Sequence, residues 1–187
     1  KSIYPELAFR WENFVLSCTI CNQNLKRDKF SILDFDGNVV DLTHFSRAET
    51  EPPHGVGCIL NPRCDDGSEY FHYDPDTGFV IALGKSKENF NRASYTIDLL
   101  NLNQAIMCRS RICSWSYYCQ HIEKLAEACS VNSIHSFDRL VRDISSMRHP
   151  FVLTSLLKHP DAPRTVKVGI QVVENAMGRS FNELLFG

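Results

Sequence analysis

Cys18 and Cys21 stand at the Cys-x-x-Cys spacing, which sets two thiols on one turn and offers half of a tetrahedral zinc site. Two buried free thiols are the other reading of the same pair. Cys58 and Cys64 are in-chain candidates for the remaining ligands, but five residues between them is not a knuckle spacing. Asn22 directly follows the pair. Its amide carbonyl is a hard oxygen suited to Mg²⁺, and its type equally suits a helix cap. Lys26, Arg27 and Lys29 come next, placed either to touch a phosphate backbone or to form an ordinary solvated charge run. His44, His54, His72, His121, His135, His149 and His159 read as surface or half-buried histidines, with His44 and His54 able to approach the cysteine pair through their loop. Cys108, Cys113, Cys119 and Cys129 fall within one helical pattern and read as small hydrophobes in a reducing compartment.

Composition narrows the class of protein that must hold these groups. Hydrophobic residues make up 43% and charged residues 22% of the 187, which removes disordered, collagen-like and coiled-coil readings. The net charge of −2 argues against nucleic-acid binding through overall basicity. Its distribution is uneven: residues 1–30 carry +2, residues 31–90 carry −7 and residues 91–187 carry +3. A phosphate backbone would be repelled by the middle third, so any such contact belongs to the ends. No apolar run approaches the roughly 20 residues of a membrane span. Pro5, Glu6 and Arg10 stand where a secretory signal would need an apolar stretch. A soluble, cytoplasmic protein is expected.

The elements that position the groups follow from periodicity and breakers. Residues 13–17 form a short apolar run suited to a buried strand, leading into a short helix or knuckle over 18–26. Residues 31–42 predict a hairpin turning at Asp36-Gly37-Asn38, and residues 70–83 a second one turning at Asp74–Thr77. Residues 46–68 read as loop. A helical segment is expected from Ser94, as cap, to about Leu100. A long amphipathic helix over 103–130, another over 136–148 and a short one over 151–159 follow. The tail beyond Pro163 is too apolar to stay free and should dock. Trp11 and Phe14 read as core residues.

The stretch Asn13-Phe14-Val15-Leu16-Ser17-Cys18-Thr19-Ile20-Cys21-Asn22 resembles the second half of an HNH endonuclease motif. Leu60-Asn61-Pro62-Arg63-Cys64-Asp65-Asp66-Gly67-Ser68-Glu69-Tyr70-Phe71 and Arg92-Ala93-Ser94-Tyr95-Thr96-Ile97-Asp98-Leu99-Leu100-Asn101-Leu102-Asn103 resemble two later blocks of the PtuB-type HNH proteins, in the same order. The resemblance covers roughly residues 1–120. It implies an α+β fold with a partial ββα-metal finger and β-hairpins, followed by a mainly helical C-terminal half. The corresponding divisions are 1–45 (finger), 46–92 (loop and hairpin) and 93–187 (helical, partner-binding).

The resemblance also implies function. Asn13 corresponds to the middle residue of the motif and Asn22 to the last, both catalytic positions, with Asn22 also a metal ligand. The general-base histidine and a second CxxC are expected upstream of Lys1. Hydrolysing a phosphodiester needs charge stabilised on the leaving oxygen and a base for water. Asn13 can accept from an imidazole Nδ1–H and so fix the tautomer that leaves Nε2 free. The expected cofactors are Mg²⁺ or another divalent ion at the catalytic site and a structural Zn²⁺ on Cys18 and Cys21. The expected activity is an HNH endonuclease acting on DNA or RNA, the effector of an anti-phage defence complex with a PtuA-like ATPase, hence a hetero-oligomer. The alternative is a non-catalytic interaction subunit whose finger is structural. Trp115, Tyr117, Tyr118 and the apolar tail are read as the ATPase-binding surface, against the rival that the helices merely complete the chain's own core.

Overall fold

The computed structural model describes residues 17–45, 54–84, 86–131, 133–147, 150–160 and 162–186. Asn13, Trp11, Phe14 and the strand expected around them lie outside these residues, as does His149. The chain is α+β, with small antiparallel sheets and a helical C-terminal half. It divides into two units, residues 1–74 with 79–104 and residues 75–78 with 105–187. The boundary expected at residue 93 falls inside a helix of the first unit.

In the first unit, β1 (Ser31–Leu33) is the central strand of an antiparallel sheet ordered β2-β1-β3, with β2 at Val39–Asp41 and β3 at Val56–Gly57. Its central place explains why Ser31, Ile32 and Leu33 are all buried while Val39 and Asp41 on the edge are exposed. The β1–β2 turn forms where the Asp-Gly pair predicts it. Gly37 takes φ +74°, and the Asp34 carboxylate accepts the N–H groups of Asp36 at 3.0 Å and Asn38 at 2.8 Å. β3 departs from the loop reading of 46–68: Val56 pairs with Leu33 and Gly57 with Ile32. Two residues carry no alternation, so the free edge of β1 recruits them without a sequence signal. The second hairpin joins β4 (Phe71–Tyr73), which follows a single helical turn α1 (Gly67–Tyr70), to β5 (Val80–Ala82). The Asn103 side chain extends β5 by exchanging two hydrogen bonds with the Val80 backbone, at 2.9 and 3.0 Å.

The expected helix start at Ser94 is too late. α2 spans Lys87–Leu99 and is capped by Ser86, whose hydroxyl accepts the Asn89 N–H at 3.0 Å. Its first turn, Lys87-Glu88-Asn89, is polar and invisible to a search for apolar periodicity. From α2, Arg92 reaches into the unit as its main polar clasp. Both ends of the guanidinium fork meet Asp65, at 3.0 and 2.8 Å, and Nε donates to the Gly57 carbonyl at 3.0 Å. Nη1 also donates to the Tyr70 hydroxyl at 3.0 Å, and the guanidinium lies 5.4 Å from the Tyr70 ring centroid. Asp65 additionally accepts the Asn61 N–H at 2.7 Å, and the Thr96 hydroxyl accepts the Leu60 N–H at 3.0 Å. The loop 57–65 is thereby fastened to α2, β3 and α1.

The second unit is built on α3 (Ala105–Ser130), with α6 (Arg164–Met177), α4 (Ile134–Ser146) and α5 (Pro150–Lys158) packed against it and α7 (Phe181–Phe186) against α4 and α6. Cys108, Arg111, Ser114, Tyr118, Ile122, Leu125 and Ala128 form the buried stripe of α3 at three- and four-residue intervals. Val166 and Val173 of α6 and Phe181 of α7 are buried, so the tail docks within its own unit. Among the helix cysteines, Cys108 is buried, Cys119 and Cys129 are half-buried and Cys113 is exposed. Gly78, in the turn carried by this unit, has φ +73°, and a Cβ there would stand 2.4 Å from the Cys108 carbonyl oxygen. Arg111 Nη1 donates to the Gly78 carbonyl at 3.1 Å, holding the turn against α3. Gly78→Ala should therefore lower stability by about 1–3 kcal/mol through backbone strain and collision. Gly57→Ala, which meets nothing within 4 Å, should change it little. Urea denaturation of the two variants checks the contrast, and equal effects would refute it.

Candidate metal centre

Cys21 lies in a π-helical turn at Ile20–Lys26, and Cys18 stands just before the turn's start. The Asn22 N–H donates to the Cys18 carbonyl at 3.0 Å and the Arg27 N–H to the Asn22 carbonyl at 2.8 Å, which fixes both ends of the turn. No side chain of this helix is buried, and Ile20 is exposed, so packing contributes little to holding it. Arg27 ends it at φ +49°, a left-handed value uncommon for a residue with a Cβ, with its Nε donating to the Asn24 carbonyl at 3.1 Å.

Within the turn, the Cys21 N–H donates to Cys18 Sγ at 3.4 Å. That hydrogen bond, aided by the Cys21 side chain and the Ile20 N–H, holds the Cys18 thiol below its ordinary range, while burial pushes the Cys21 thiol up. An exposed sulfur with a lowered pKa and a second sulfur three residues on have the spacing of one half of a tetrahedral zinc site. Among the described residues, no group of three or more His, Cys, Asp or Glu completes such a site. His44 and His54 are exposed. Cys58 is fully buried, its N–H donating to the Ser31 carbonyl at 2.9 Å and burial pushing its thiol up to about 11. It is a core residue of the sheet. Cys64 is exposed and accepts from Asn61 Nδ2 at 3.7 Å.

Asn22 presents an exposed side chain directly after Cys21, a position from which its amide oxygen is available to a hard cation. Lys26 is half-buried and Arg27 and Lys29 are exposed, so three cations lie within seven residues of Asn22 in the chain. Asn13 lies outside the described residues. The turn thus sets two thiols three residues apart, with Asn22 and the three cations following them in the chain.

The Arg92–Asp65–Tyr70 cluster has no counterpart in the sequence reading. Its partners are 27 and 22 residues apart, beyond the reach of any periodicity. The only local hint is an arginine directly before Ala93 on the buried face of a short helix. Among the described residues no helix is long and apolar enough to cross a membrane. No family model, curated protein or solved structure matches the chain.

Proposed function

We infer that the chain is the finger-bearing part of an HNH-type, metal-dependent endonuclease that hydrolyses phosphodiester bonds in nucleic acid and works with an ATPase partner in defence against phage. The observation that carries this reading is the Cys18–Cys21 turn. Its Cys21 N–H donates to Cys18 Sγ and lowers that thiol's pKa, and Asn22 and the cations Lys26, Arg27 and Lys29 follow it in the chain. A second support is that two of the sequence blocks resembling the PtuB type are joined by the bidentate Arg92–Asp65 pair, giving both arginine and aspartate a shared reason to be there.

In this reading Cys18 and Cys21 supply half of a structural Zn²⁺ site, and the Asn22 amide oxygen is a ligand for Mg²⁺ or another divalent ion. That ion, when bound, stabilises charge on the leaving oxygen. Asn13 orients the base imidazole by accepting its Nδ1–H, and Lys26, Arg27 and Lys29 hold the phosphate backbone.

The test has two readouts. Elemental analysis of the full-length protein should find about one zinc per chain, lost in Cys18→Ser together with finger stability. Asn22→Ala should abolish Mg²⁺-dependent cleavage of DNA or RNA while retaining the zinc, and Asn13→Ala should slow cleavage on the order of 10²-fold. Zinc retained with cleavage unchanged in both asparagine variants would return the finger to a purely structural role in an interaction subunit. Folded protein free of zinc would remove the finger altogether.

A further inference from the structure

The tip of the β1–β2 hairpin is held from several directions at once. Besides the bonds to the Asp34 carboxylate, Lys87 Nζ donates to the Asp36 carbonyl and to Asn38 Oδ1, both at 2.9 Å, and Asn91 Nδ2 donates to the Gly37 carbonyl at 2.8 Å. This fixed turn raises Phe35 into solvent at 96% exposure, the most exposed of the large hydrophobic side chains described. The turn does not need an aromatic there, because its geometry comes from Asp34, Gly37 and Asn38. Asp36, the next residue in the chain, is also exposed. A rigid, isolated aromatic binds with little ordering cost.

The second unit carries an apolar hollow. An open cavity of about 420 Å³ lies where the end of α3 meets α4, α6 and α7. Ile134, Phe137 and Met177 give it an apolar lining, and Arg142 and Arg179 outweigh Asp138 in charge. Ile134 is itself 76% exposed. Charge follows the same division across the chain. The first unit holds ten cations against fourteen acids, net −4, and the second ten against eight, net +2.

We propose that two copies of this chain associate head to tail, the Phe35 ring of one entering the α4–α6–α7 hollow of the next while Asp36 meets Arg142 and Arg179. A knob on one unit and a hollow on the other make a heterologous contact, which repeats into a ring or an open chain rather than closing as a symmetric pair. A contact centred on one aromatic side chain is weak, so association grows with protein concentration. It is also weakened by salt, since charge pairs at its rim are screened.

Analytical ultracentrifugation over a wide concentration range tests this. The wild-type mass should rise above the monomer. Phe35→Ser, which lacks the knob, and the double variant Arg142→Glu/Arg179→Glu, which lacks the hollow's charge, should each associate at least about tenfold more weakly. Mixed together, the two variants should form a one-to-one heterodimer that goes no further, because only one knob and one hollow remain. Unchanged circular dichroism of both variants confirms their folding; should the double variant misfold, Met177→Glu takes its place in the mixture. A wild type that stays monomeric, association untouched by Phe35→Ser, or mixed variants that do not pair would each overturn the proposal.

Discussion

Arg92→Met should destabilise the protein by about 3 kcal/mol, the larger of the effects expected in the first unit. The substitution keeps the length of the side chain and its apolar stem but removes all four hydrogen bonds of the guanidinium, to Gly57, to both Asp65 oxygens and to Tyr70. What makes this costly is the carboxylate left behind. The Asp65 side chain is only 13% exposed, so water cannot fully replace the arginine, and breaking a buried pair from one side costs about 3–5 kcal/mol. The residual exposure places the expectation at the lower end. Burial alone would raise the Asp65 pKa. The Arg92 hydrogen bonds and charge, with the Asn61 N–H, override burial and hold it below the usual carboxylate range. In the wild type this depressed value contributes stability above the unfolded value of about 3.9, lost as pH falls through the lower folded value. In Arg92→Met burial is opposed only by the Asn61 N–H and the Tyr70 hydroxyl, so the folded carboxyl titrates higher than in the wild type and protonation relieves the penalty. The gap between wild type and variant should therefore be full near neutral pH and shrink as pH falls through the variant's higher folded value towards the wild type's depressed one. Urea unfolding at a series of pH values measures it. A gap independent of pH would mean that lost packing rather than the stranded carboxylate causes the loss.

Parts of this architecture were legible in the residues and parts were not, and the difference is one of range. The β1–β2 hairpin could be read because Asp34, Gly37 and Asn38 carry their turn chemistry within five residues. α3 could be read as a helix because apolar residues recur at helical spacing along it, but its buried stripe includes Arg111 and Ser114, which that pattern does not pick out, and leaves Ile106 exposed. β3 could not, since its two residues form a strand only through the edge that β1 offers. α2 was misplaced at its start because a polar first turn hides from periodicity, although Ser86 followed by Glu88 is cap chemistry visible in the sequence. At the candidate metal centre, spacing located the cysteine pair, yet only the folded turn shows that the Cys21 N–H serves Cys18 Sγ and that the two thiols shift in opposite directions. The Arg92–Asp65 clasp is a tertiary event with no local trace.

The tail gives the second large effect and bears on what the helical half is for. Its apolar residues were expected to meet an ATPase, and they are covered inside the chain's own unit instead. Phe181 is 2% exposed, and Leu184 and Leu185 beside it are buried. The local sequence builds this return. Gly178 ends α6 at φ +65°, with its N–H donating to the Glu174 carbonyl at 2.9 Å. Ser180 and Glu183 then start α7 as a capping box, the Glu183 carboxylate accepting the Ser180 N–H at 2.9 Å and the Ser180 hydroxyl accepting the Glu183 N–H at 3.3 Å. Glu174 accepts the Phe181 N–H at 2.9 Å, which sets the ring at its entry, and the Ser145 hydroxyl of α4 donates to the Leu185 carbonyl at 3.3 Å. Phe181→Ala empties a closed site and should cost about 3–5 kcal/mol. For a chain of this length that corresponds to a fall in melting temperature of roughly 10 °C. Ser180→Ala, which removes only the cap, should cost about 1 kcal/mol. Thermal melts of the isolated chain decide between a structural tail and a partner-binding one. A strap held for another protein would tolerate Phe181→Ala with its melting temperature unchanged and lose only binding, whereas a tail that completes the unit melts early with no partner present.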